Sequence, residues 1–384
     1  MSMRESDEQR MIREAVRKIV ANYDHDYYVE RARAGAKADE LWAAVGRDGF
    51  VGVNLPEEFG GGGMGVQELA IVAEELAAAG SPLLMLIVSP AICGSLIARF
   101  GSREQQEKWL PGLASGEDKM AFAITEPDAG SNSHRIGTTA HRDGNEWVLR
   151  GTKYYCSGVD EAQAVLVVAR TGVNESSGRG RLSLFIVDTD AAGLQRTVIP
   201  VEITAPEKQF TLFFDDVRVP GDALIGEEGN GLRQVFHGLN PERIMCAATS
   251  NGIARYALER GARYARERTV WDVPIGSHQG IAHPLAEAYV NVELARLMTT
   301  KAAWLYDQGL DAGEAANIAK LAAADASLQA IDRAIQTHGG NGMSTEYGLA
   351  DLWGMARVLR IAPVSREMVL NYITQHSLHL PRSY

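Results

Sequence analysis

AITEPDAGSNS, residues 123–133, is the point at which this chain changes character. Thr125, Glu126, Asp128, Ser131 and Asn132 crowd around Pro127 and the small residues Ala129 and Gly130, so hydroxyl and backbone donors can come close to a flat or anionic ligand. The same composition also suits a solvated turn, and these residues alone leave both readings open. Upstream the pattern is helical. Ser6 and Gln9 form a capping-box signature ahead of an apolar face at Ile12, Val16, Ile19 and Val20, and Leu69, Val72, Ala73 and Leu76 repeat that spacing until Gly80-Ser81-Pro82. Leu83–Ala98 reads as a buried helix, and the four consecutive glycines of LPEEFGGGGMG (55–65) as a flexible connection, since neither P-loop nor dinucleotide-binding spacing follows them.

From about residue 119 the period falls to two: Phe210, Leu212 and Phe214 alternate with Thr211 and Phe213, and AVLVVAR (164–170) and LSLFIVD (182–188) are short apolar runs. Beyond about Asn230 long alanine-rich helices return, expected at 241–268, 283–308, 312–337 and 345–376, the last broken near Pro363. An α, β, α order without βαβ alternation predicts an α+β fold: a helical domain (1–118), a β domain (119–228) and a four-helix bundle (229–384).

The 384 residues, 46% hydrophobic and 23% charged, are enough for a core spread over two or three domains. Forty-nine acidic against 38 basic residues give a net charge of -11, with no basic cluster to follow a phosphate backbone, so nucleic acid is not an expected partner. Cys93, Cys156 and Cys246 are too far apart for a disulfide framework or a CxxC motif and fit a reducing cytoplasm. The nine histidines make no metal-ligand motif. No membrane-spanning run or signal peptide is apparent either.

With KYYCSG (153–158), FDDVRVP (214–220), GEEGNG (226–231), RTVWDVPIGSHQ (268–279) and QTHGGNGMSTEY (336–347), the chain resembles the acyl-CoA dehydrogenase family over nearly its whole length. The resemblance implies a β-barrel-like middle domain, FAD as cofactor, an acyl-CoA substrate, an electron-transferring flavoprotein as acceptor, and a homo-oligomer, expected to be a tetramer. It places Phe122, Thr125, Ser131, Tyr155 and Ser157 at the flavin, with Tyr155 as the stacking ring, Ser157 as the hydroxyl at N5, and Ser131 also near the CoA chain. Arg268, Trp271, Gln279, Gln336 and Gly340 resemble residues that reach the FAD of a neighbouring subunit, with Ser365 also at the cofactor and Glu367 toward the ribityl chain. Asp272 stands where the family commonly has glycine.

Dehydrogenation needs a base for the α proton while a hydride leaves the β carbon. Pro363 stands where the family usually carries that glutamate, and proline cannot take a proton. Isovaleryl-CoA and long-chain members carry it instead on the first bundle helix, and the match here is Asn240-Pro241-Glu242-Arg243, with Glu242 as base and Asn240 and Arg243 beside the substrate. A purely local reading competes: Asn240 as N-cap, Pro241 as first helical residue, and an acid in the first turn. An oxygen-using flavoenzyme on the same scaffold, or a relative that binds FAD without dehydrogenating, are the alternative functions.

Overall fold

The computed structural model describes residues 5–174 and 178–382. Helices α1 (Asp7–Val20), α2 (His25–Arg33), α3 (Asp39–Arg47), α4 (Val66–Ala78), α5 (Leu84–Leu86), α6 (Ser95–Phe100) and α7 (Arg103–Ser115) come first. The strands follow: β1 (Met120–Ala123), β2 (Thr139–Asp143), β3 (Glu146–Ser157), β4 (Ala164–Val173), β5 (Gly180–Asp188), β6 (Leu194–Ile199), β7 (Gln209–Pro220) and β8 (Leu224–Ile225). The C-terminal third holds α8 (Gly231–Glu267), the β9–β10 hairpin (Thr269–Val270, Val273–Pro274), α9 (Gln279–Asp307), α10 (Gly313–His338), α11 (Trp353–Ile361) and α12 (Arg366–Tyr372). Among the described residues no helix is long and apolar enough to cross a membrane.

The sheet runs β6-β7-β3-β2-β4-β5-β8, with β1 parallel to β4 on its other side. Its halves meet at one residue pair, Thr139 with Arg170, and from there the sheet curls so that Trp147 of β3 packs edge-on against Phe185 of β5 at 5.2 Å. Alternation along β4 serves two cores. Val165 and Val167 point into the curl with Trp147, Leu212 and Phe214, while Leu166 and Val168 point out against α6, α7 and the start of α8. A third core joins α1 and α4 to the bundle helices, and Cys246, Cys93 and Cys156 are divided one to each core.

Four sequence expectations need correction. α4 presents no single apolar face: it is enclosed nearly all round, and α2, α3 and α7 were not foreseen. The glycine run is packed rather than flexible, because a Cβ on Gly61 or Gly62 would strike the backbone of Leu55 or Val53. α8 starts at Gly231, ten residues ahead of Pro241, so Asn240 is no helix cap. Proline deprives the His237 carbonyl of its intrahelical partner, and the Tyr306 hydroxyl donates to it instead at 3.4 Å. The last helix does break at Pro363, into α11 and α12. Leu83–Ala98 is buried helix as expected, with a π-helical stretch, Ile87–Gly94, around Pro90.

Candidate active site

The 123–133 stretch is fixed from beneath by a buried ion pair. Inward alternation on β3 leaves Lys153 with 0% exposure, and its ammonium donates to Glu126 at 2.8 Å and to the Ile124 carbonyl at 3.0 Å. The Glu126 carboxylate also accepts from the backbone N–H groups of Gly137 at 2.6 Å and Thr138 at 2.9 Å, pinning both ends of the loop. Burial works to raise the Glu126 pKa, but the Lys153 charge and these donors outweigh it and hold the carboxyl below its usual range. Thr125 accepts from the Tyr154 N–H at 2.8 Å through its carbonyl, and the exposed Ser131 hydroxyl stands near the loop's tip. Lys153 and Glu126 were not among the sequence's site candidates. The signal available was a lysine on the inward phase of an apolar strand.

Between Lys153 and Cys156 the β3–β7 register slips, and in that bulge Tyr155 adopts φ +55° and turns its ring outward, 54% exposed. A bulge re-aims a side chain in this way, and a left-handed tyrosine is strained backbone. Half-buried Phe122 is the next-to-last residue of β1, just ahead of the loop. The Ser157 hydroxyl donates to Gln209 at 2.9 Å, so its single proton is engaged there, and donation to a flavin competes with that bond.

Arg268, Trp271, Gln279, Gln336 and Gly340 form a second group, at the far end of the bundle, whereas Ser365 and Glu367 follow the turn held by Lys320 in mid-α10. Trp271 and Asp272, with φ +52° and +63°, make the tight β9–β10 turn, and Trp271 is 82% exposed at its tip. Asp is among the few side chains that tolerate the left-handed region, which accounts for its standing at a common glycine position. Arg268 and Gln279, also exposed, flank this hairpin. One turn before Arg268, Tyr264 stacks on His338 at 4.1 Å and its hydroxyl accepts from Asn341 at 3.1 Å, which brings Gln336 and Gly340 to the same end. A Cβ on Gly342 would meet the Ile335 carbonyl, whereas one on Gly340 would meet nothing within 4 Å: packing requires the first glycine and not the second. Ser365 caps α12, accepting from the Met368 N–H at 3.3 Å, and Glu367 is exposed in that helix's first turn.

Glu242 lies inside α8. The residue keeps partial exposure, but Oε2 is sealed from solvent and has no hydrogen-bond partner. Burial pushes its pKa from 4.5 up to about 7, against the opposing charges of Arg243 and Lys320. Arg243 donates to the Leu239 carbonyl at 3.2 Å and to the Asn240 side-chain oxygen at 3.1 Å, leaving its buried Nε without a partner. The Glu242 charge is felt by Cys93, whose thiol donates to the Ala121 carbonyl of β1 at 3.5 Å. Strand β1 feeds directly into the 123–133 loop, so the carboxyl and that loop share one junction. Orphaned acceptor, unpartnered guanidinium nitrogen and raised carboxyl together make Glu242 a candidate for proton transfer.

The chain matches the acyl-CoA dehydrogenase N-terminal domain over residues 6–117, the middle domain over 121–217 and the C-terminal domain over 229–378. It belongs to the acyl-CoA dehydrogenase family. This acyl-CoA dehydrogenase is 57% identical over 382 residues to acyl-CoA dehydrogenase FadE12 of Mycobacterium tuberculosis, covering 99% of this chain and 98% of that one. It is 30% identical to the mitochondrial long-chain specific acyl-CoA dehydrogenase of Sus scrofa, over 97% and 87% of the two chains. The solved glutaryl-coenzyme A dehydrogenase, in its glutaryl-CoA complex, superposes with a TM-score of 0.94 at 31% identity over 100% of this chain and 98% of that chain. The enzyme is an oxidoreductase, its cofactor is FAD, and its residues fit that group: an outward aromatic ring at Tyr155, an open backbone at Gly130 and Gly340, and exposed donors at Ser131 and Arg268.

Proposed function

We propose that this acyl-CoA dehydrogenase oxidises its thioester to the trans-2-enoyl-CoA with Glu242 as the base, hands the electrons to an electron-transferring flavoprotein, and works as a homo-oligomer, a tetramer. FAD, when bound, supplies the acceptor for the hydride leaving the β carbon. Tyr155 and the 123–133 loop would hold the ring and phosphates from the sheet side. Arg268, Trp271, Gln279, Gln336 and Gly340, carried on the other end of the bundle, would reach a neighbouring subunit's cofactor.

The observation that supports the assignment is the unpartnered, sealed Oε2 of Glu242, its pKa raised to about 7, at the 240–243 motif position. Glu207 is as deeply buried and raised alike, but its carboxylate already accepts from the Met85 N–H at 3.3 Å, so the motif decides between the two. A carboxyl poised near the working pH takes a proton readily and keeps it while the product forms. Arg243 and Lys320 keep the carboxylate accessible by opposing burial. Pro363 offers no competing group, and Glu367 is exposed, which suits cofactor contact better than proton abstraction.

The test is anaerobic reduction of the bound flavin by straight, branched and cyclic acyl-CoA thioesters, before and after Glu242→Gln. A slowing of roughly two to four orders of magnitude with FAD binding intact supports the base. An undiminished rate moves the assignment to Glu367. Rapid reoxidation of the substrate-reduced enzyme by O2 would overturn the flavoprotein acceptor in favour of an oxidase.

A further inference from the structure

Lys320 sits in the middle of α10 with 1% exposure, on the same helical stripe as Ala316, Ala323 and Ser327. A lysine so enclosed needs partners, and it has two: its ammonium donates to the Arg360 carbonyl at 2.9 Å and to the Val364 carbonyl at 2.6 Å. Those carbonyls bracket Ile361-Ala362-Pro363, the end of α11 and the turn into α12, where the family resemblance sets Pro363 in the place of the usual glutamate. The same ammonium acts electrostatically on Glu242 and Cys246 of α8. One side chain therefore grips the turn and biases the carboxyl.

We propose that Lys320 is a positioning residue: from inside the bundle it anchors the Arg360–Val364 turn as a wall of the acyl site and presents its charge to Glu242 where α8 packs on α10. The first half concerns which acyl chains fit; the second rests on Glu242 being the base. Ala362 and Pro363 are small, so the reach of that wall depends on where its backbone is held. Two charge-assisted bonds, one to each flank, fix it more tightly than one.

The groups facing this lysine are Glu242, Arg243 and Cys246 from α8, and Asp325 from its own helix, whose carboxylate is engaged by Arg360 at 2.7 Å and Arg366 at 2.8 Å. Glu242 is faced by Arg243, Lys320, Cys246 and Cys93. Both thiols are pushed up by burial and stay neutral, Arg243 stays charged, and burial lowers Lys320 only to about 8. At neutral pH Lys320 is therefore the cation whose removal changes both the wall and the charge beside Glu242.

The experiment uses the FAD-loaded full-length enzyme and reads anaerobic flavin reduction across pH with a straight-chain and a branched acyl-CoA. Lys320→Met removes both donors and charge: the preference between the two thioesters should change by about tenfold or more, the effect of one tenfold step in a binding equilibrium. The pH midpoint of reduction should also move upward, because Glu242 loses a favourable charge. Lys320→Arg keeps the charge but displaces the turn by its bulk, so the preference should change while the midpoint stays; it also carries the test if the Met variant does not fold. In a Glu242→Gln background the midpoint should vanish while Lys320→Met still changes the preference, which separates failure of the clamp from failure of the base. Unaltered preference in either variant overturns the clamp, and an unmoved midpoint in Lys320→Met overturns the electrostatic half.

Discussion

A carboxyl whose folded pKa is raised from 4.5 to about 7 holds its proton more tightly in the native chain than in the unfolded one. Glu242 therefore favours folding below its unfolded value, and that advantage is lost as pH rises through 4.5 toward 7, by at most about 3 kcal/mol and less to the extent that water reaches the residue. Glu242→Gln removes the titration, so its melting temperature should exceed the parent's at pH 8 by more than at pH 5, as differential scanning calorimetry would show. Equal differences at both pH values would contradict the burial. Lys153 shows the opposite sign. Lys153→Met leaves the Glu126 carboxylate buried without its ammonium, and should cost about 3–5 kcal/mol in denaturant unfolding along with FAD retention. Because the Glu126 pKa is depressed, its contribution is present above its unfolded value and lost as pH falls through the folded one, so the parent should release FAD as acid is added. The motif 240–243 directed attention to Glu242, yet its setting was not readable: Pro241 looked like a helix start because the hydroxyl that excuses it mid-helix belongs to Tyr306, far along the chain. Lys320 was legible only as a charge on a stripe of alanines.

At the scale of elements, α4 is the hub. Glu74 and Glu75 on it bind Arg13 and Arg17 of α1, Arg255 of α8 and Arg296 of α9, so four helices share one charge network built on two buried carboxylates. Close approach of α4 and α8 depends on Gly252, where a Cβ would lie 2.3 Å from the Glu74 carbonyl. Alanine is the better helix former by about 1 kcal/mol. Here the overlap outweighs that gain, and Gly252→Ala should destabilise by roughly 1–3 kcal/mol net, measured as a lowered urea midpoint. A raised midpoint would show that α4 yields without loss. Periodicity alone located α4 but could not reveal its enclosure, since its polar residues are buried by pairing, and pairing partners lie on other elements.

For the whole molecule, the α, β, α order was plain because the hydrophobic period changes twice along the chain, while the barrel-like curl of the sheet followed from the family resemblance alone, since in the structure it rests on the single Thr139–Arg170 pairing. On α9, Tyr289, Val290, Leu294 (61% exposed) and Leu297 leave an apolar face open in the isolated chain. Such a face suits the proposed oligomer. Leu294→Glu with Leu297→Glu should give a smaller species in sedimentation and, if Arg268 and Trp271 do serve a neighbour, weaker FAD retention. An unchanged sedimentation coefficient would place the interface elsewhere.

The three thiols make one further experiment possible. Cys93, Cys156 and Cys246 are all free and buried, each in a different apolar core. An alkylating reagent sees a thiol only after its surroundings open, and high thiol pKa values slow the reaction further. The chain thus carries three built-in clocks, one for the curled sheet, one for its outer packing and one for the bundle. Pulse labelling read peptide by peptide should register Cys156, Cys93 and Cys246 at separate rates if the cores open independently, and at a common rate if they melt as one unit.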